Sequence, residues 1–249
     1  MQKHNSVVMP NTCFYFCSIL LLLSITYGCA YAPADVNKQL DVNLPASISD
    51  NEQLLWWYAR YKINWPENTA PDFSVDALLA DAVIEPVLVK YQDNIRLWRF
   101  HRRAHRDQAG HQFSFIFYTD KNTAAIMFNE LENSDLTRKL LAHGTIDRFS
   151  TENLETNDRS SINSASDKHW SDTLQVAWPY FIMGVSATWL ELINQQAGQS
   201  DSEHDLKKLL VNYQDVNNKI NRIWYEEGNH AFIHHLNALF GYEPLEKEQ

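Results

Sequence analysis

Five arginines fall within eleven residues of an otherwise acidic chain: Arg96, Arg99, Arg102, Arg103 and Arg106, interleaved with His101 and His105. A guanidinium presents a planar fork of donors that matches the oxygens of a carboxylate or phosphate. Such a cluster suits an anion site or a docking surface for an acidic partner, with Arg99, His101, Arg102, Arg103 and Arg106 as the candidate contacts. The competing reading is a solvated strand end whose arginines pair with the chain's own carboxylates. Exposed ion pairs contribute only about 0–1 kcal/mol each, so stability alone is a thin reason for five of them.

A second constellation is His230 and His234, followed by His235 and preceded by Glu226 and Glu227. Histidines four apart on a helix face one way, which is the spacing of metal-binding helices. A divalent metal such as zinc would then serve an alternative function, a metal-dependent envelope enzyme. The third ligand would come from Glu227, or through the fold from His101, His105, His111 or His169. Position 231 is Ala, so the H-E-x-x-H general base is missing. The plain alternative is a polar helix surface.

Other chemistries find little footing. Gly184-Val185-Ser186-Ala187-Thr188 is not the G-x-S-x-G elbow and follows a helical run. Glycine numbers 7, where average usage gives roughly 17, and no phosphate-cradling glycine motif is present. The aromatic group Trp56, Trp57, Tyr58, Tyr61 and Trp65 could stack on sugar, but at helical spacing it reads mainly as core. Adjacent Trp56 and Trp57 cannot point the same way, so one could anchor a partner.

The N-terminus speaks to compartment. No charge occurs from Asn5 to Ala34, and an apolar run from Phe14 to Ile25 has the length of a secretory h-region. It ends in Thr26-Tyr27-Gly28-Cys29-Ala30, which resembles the lipobox of bacterial lipoproteins. That resemblance implies a signal peptide over 1–28, a lipid on Cys29 and, with Ala30 rather than Asp next, the outer membrane. Cys13, Cys17 and Cys29 are the three cysteines; a mature chain from Cys29 keeps one thiol, which lipid would occupy. Cleavage after Ala34, or retention of the twenty uncharged residues 13–32 as an anchor, remain open alternatives.

The chain has 249 residues and a net charge of −10, becoming −11 once residues 1–28 and their single Lys3 are gone. A chain this acidic is a poor general binder of nucleic acid or anionic lipid. Residues 29–49, with Pro33 and Pro45, read as a tether, and residues 50–245 as one helix-rich α+β domain. Asp50 and Gln53 suggest a capping box opening a helix with Leu54, Trp57, Tyr58 and Tyr61 inward. A second helix follows Ser74 and is interrupted at Pro86. Residues 95–119 read as a hairpin around Asp107–Gly110, with Phe113, Phe115 and Phe117 on one face. A helix from Thr123, ended by Gly144, and a strand Ile146–Ser150 complete a β-β-α-β sheet. Residues 151–168 read as a mobile polar loop. A C-terminal helical bundle closes the domain: residues 170–195, a clear amphipathic helix from Leu206 to Trp224, and a short helix over 230–240. Thr173 to Leu190 is eighteen residues without a charge; a buried core helix is expected there in preference to a second membrane span. The sequence thus points to an exported, lipid-anchored envelope protein that binds a protein partner or anionic ligand without catalysis.

Overall fold

Alternation dominates the segment from Trp57 to Ile63. Trp57, Ala59, Tyr61 and Ile63 are buried, whereas Tyr58, Arg60 and Lys62 are half-buried, which is the two-residue period of a strand. The computed structural model describes residues 53–198 and 205–242, and it shows this segment as β1 (Leu55–Ile63), not the expected helix. The same residues satisfy a helical template at i, i+3, i+4 and i+7, but four aromatics in nine positions favour a pleated surface. The expected signal peptide, Cys29 and the whole of the expected tether lie outside the described residues.

A helical run, α1, follows over 74–90, and Asp72 accepts from both Ser74 N and Ser74 Oγ at its start. Its middle, Leu79–Ile84, widens into π-helix just before Pro86; a proline removes one helical donor and clashes with the preceding turn, and the wider turn absorbs this. Strands β2 (Leu97–Ala104) and β3 (His111–Thr119) form the hairpin read from the sequence. Helices α2 (Lys121–Asn133) and α3 (Asp135–His143) follow, broken at Ser134. Gly144, at φ 76°, ends α3. Strand β4 (Ile146–Thr151), helix α4 (Asp172–Ala197), helix α5 (Leu206–Glu226) and a final run, α6, over 229–239 complete the chain.

The architecture is α+β: one four-stranded antiparallel sheet ordered β2-β3-β1-β4, with a helical C-terminal region. The described residues belong to one compact unit, Leu44–Gln249. One sheet face carries the main core, where Trp57, Tyr61, Phe113, Phe115 and Phe117 meet Leu78 and Ile84 of α1, Met127 of α2 and Tyr213 of α5. The other face gathers its buried apolar residues at one end, where Trp56, Leu97 and Tyr118 pack with Ile162 and Met183; in its middle Ser114 is buried as well. Trp56 and Trp57 therefore point to opposite faces, and both are buried.

Helix α4 departs from the expected core helix. Of its 26 residues only Pro179, Ser186, Leu190 and Ile193 are buried. It lies along edge strand β2, and Ser186 Oγ accepts the outward N–H of Phe100 at 3.1 Å, which covers part of an otherwise open edge.

Candidate functional site

The strand pairings put the basic residues in ranks. Across β4, β1, β3 and β2 one row reads Ser150, Arg60, Ser114, His101; the next reads Arg148, Lys62, Gln112, Arg103. A third places Arg99 beyond Ile116 and Tyr58. Strands lie about 4.8 Å apart and rows about 7 Å apart, so these groups share a face roughly 14 Å wide. Alternation along each strand sends them all away from the main core. The sheet's second face is thus apolar at one end and basic over the rest.

Its charges are largely uncompensated. Among the described residues, no carboxylate pairs with Arg60, Lys62, Arg99 or Arg148. Lys62 and Arg148 stand directly opposite on neighbouring strands, an arrangement that destabilises a sheet. The Nε atoms of Arg60 and Arg99 are buried without an acceptor. Arg60 stacks on Tyr58, its carbon 4.2 Å from the ring centre, and Arg99 lies 4.9 Å from that of Trp178. Burial, with repulsion from Arg159 second, pushes the Arg99 guanidinium down to about 10. Burial also lowers His101, reinforced by Arg99, Arg60 and Arg103. The face has cations held in place by aromatic rings and short of anions.

Residues 151–168 border this face. Arg159 pairs with Glu152 and donates to the Trp56 carbonyl, Asn157 donates to the same carbonyl, and Tyr118 Oη donates to Ser160 O at 2.5 Å. Glu152 is spent on Arg159, so it does not neutralise the arginines of the strands.

The five arginines of the sequence cluster separate. Arg99 and Arg103 share the basic face with His101. Arg103 is engaged with Asp107, whose carboxyl it holds far below the usual range, and with Gly110 O at 3.2 Å. Arg102 lies on the core face, where its Nε donates to buried Asp76 at 3.1 Å and its Nη2 to Phe73 O. His111 Nε2 lies 3.2 Å from each oxygen of the same carboxylate. Arg106 stacks on Trp65 and donates to the carbonyls of Trp65, Pro66 and Thr69, closing the 65–69 loop. Arg96 lies outside the ranks, in a cleft with Glu85, Trp98 and Leu190.

Arg60, Lys62 and Arg148 escaped the sequence reading. Each is isolated in sequence, and only the pairing of β1 and β4 with the hairpin gathers them. The one available signal was the alternation of Tyr58, Arg60 and Lys62.

No protein-family model and no curated protein matches the chain. A solved structure, the crystal structure of TsrL, aligns with it at a TM-score of 0.35 and 12% identity, over 76% of this chain and 49% of that one. The chain thus spans about half the length of that protein. A likeness this loose bears on neither fold nor activity.

His230 and His234 lie on α6, exposed and stacked at 5.2 Å between ring centres, with His235 5.4 Å from each. Among the described residues no group of three or more His, Cys, Asp or Glu is placed to hold a metal.

Proposed function

We propose that this chain is a lipid-anchored protein of the cell envelope that binds an anionic ligand or acidic partner, without catalysis, on the open basic face of its sheet. One observation carries the reading: Arg60 and Arg99 share that face with His101, their buried Nε atoms have no acceptor, and no carboxylate pairs with either among the described residues. A buried donor left unmade costs on the order of 1–3 kcal/mol, and like charges set side by side add to this. An incoming carboxylate or phosphate relieves the repulsion, through charge-assisted bonds to the outer nitrogens of forks already held by aromatic rings. The lipobox resemblance at Gly28-Cys29 supports the anchor and the compartment.

The experiment is calorimetric titration of the full chain with inorganic pyrophosphate and with a glutamate-rich peptide. Removing one charge-assisted contact costs about tenfold in affinity, so Arg60→Gln and Arg99→Gln together should nearly abolish binding. Titrations flat for both probes would refute the reading. The anchor is tested separately by the intact mass of protein extracted from its own membranes, which should begin at Cys29 and carry acyl chains.

A further inference from the structure

We propose that α4 and the basic sheet face form one surface that seats the domain on an anionic lipid bilayer, phosphate headgroups meeting the arginines and the α4 side chains entering the acyl boundary. This rests on the basic face being a binding site, and it names the ligand as lipid headgroups.

The first observation is the exposure of α4. Leu174, Val176, Tyr180, Phe181 and Val185 are each 42–48% exposed, within a stretch that has no charge from Thr173 to Leu190. By length and composition this helix could cross a membrane. Its other side is already committed, since Ser186 holds Phe100 N and Leu190 and Ile193 are in the core. It is therefore placed to lie along a membrane and not through one. Apolar side chains grouped on the outside of a protein mark a contact surface.

The second observation is continuity. At 3.6 residues per turn, Leu174, Phe181 and Val185 return to one side of the helix, and Trp178 falls on the same side. Trp178 is also the ring that stacks on Arg99. The apolar stripe and the basic ranks therefore meet at this contact. An apolar helix flanked by cations is the pattern of interfacial membrane binding. Trp170, Trp178 and Tyr180 add rings of the type that settle at headgroup level.

The third observation selects lipid over an acidic protein. An uncharged stripe offers an acidic protein nothing to pair with, whereas a bilayer supplies phosphate and hydrocarbon side by side. The lipid proposed on Cys29 would hold the chain at a membrane surface some twenty-five residues before β1, a connection of on the order of 85 Å at full extension. The net charge of −10 opposes attraction at a distance, so seating depends on contact at the basic face and weakens with salt.

The test uses the full chain reconstituted in phosphatidylcholine vesicles with and without phosphatidylglycerol, doped with a lipid bearing a photoactivatable diazirine on its acyl chain. After photolysis, labelled peptides are mapped by mass. Residues 172–190 should be labelled, more strongly with phosphatidylglycerol. The double variant Phe181→Ser, Val185→Ser changes only exposed positions and should lower that label about tenfold, while label on the N-terminal peptide that begins at Cys29 stays constant as the internal reference. An unlabelled α4 beside a labelled N-terminal segment would overturn the proposal, as would protection of 172–190 by a glutamate-rich peptide in place of lipid. If α4 goes unlabelled while pyrophosphate still binds, bilayer seating alone falls. If neither pyrophosphate nor the glutamate-rich peptide binds, the basic-face reading falls with it.

Discussion

At the scale of single residues, the arginines divide by what already satisfies them. Arg102 lies between the rings of Phe73 and Trp189 and bonds to a fully buried carboxylate. Asp76→Ala would leave that guanidinium and the buried His111 ring without their acceptor. A loss of about 3–5 kcal/mol is expected, readable as a lower urea midpoint. Arg99 and Arg60 have no such acceptor, so Arg99→Gln should not lower the urea midpoint and should weaken anion binding. His101 supplies a pH signature. Its folded pKa lies below the ordinary value of about 6.5, so the free protein binds fewer protons there than the unfolded chain does. The associated stability is complete above the unfolded value and is lost as pH falls through the folded one. A bound anion reverses the preference, so anion affinity should rise as pH drops through this range. His101→Gln should flatten that rise in a titration series.

Elements were legible where a one-sided period or a turn signal marks them. Helix α5 buries Leu209, Tyr213, Val216 and Ile220 on one side, and its period identifies it; the hairpin, although β3 is buried on both faces, is marked by its Asp107–Gly110 turn, and α3 by its glycine stop. The segment β1 failed because Leu54, Trp57, Tyr58 and Tyr61 fit a helical period while Trp57, Ala59, Tyr61 and Ile63 fit a strand. Only pairing with β3 and β4 decides between them. The helix α4 was legible as a helix and only its burial was not: an uncharged run looks the same in sequence whether its outer side meets protein or nothing. Its attachment to the sheet runs through Ser186, and Ser186→Ala should cost about 1–3 kcal/mol by leaving Phe100 N–H without a partner, again seen in urea unfolding. Half of the basic face was legible, as Arg99, His101 and Arg103 on one side of a strand. The half from Arg60, Lys62 and Arg148 is a product of strand order, which no local pattern reports.

At the scale of the whole molecule, an acidic chain carries one basic face, and its cations are gathered from three strands. Arg60, Lys62, Arg99, His101 and Arg148 occupy one sheet side with no pairing carboxylate of their own. A fold built for stability alone would have interleaved the signs. Because binding pairs these cations with an anion at close range, affinity should fall as salt rises through physiological ionic strength, where the screening length is about 8 Å. Titration of the full chain with pyrophosphate, in parallel with the double variant Arg60→Gln, Arg99→Gln, examines this face without assuming what its natural ligand is. Saturable, salt-sensitive binding by the native chain, lost in a double variant whose urea midpoint is not lowered, is the expected result. Equal binding by the two proteins, or none by the native chain, would contradict it.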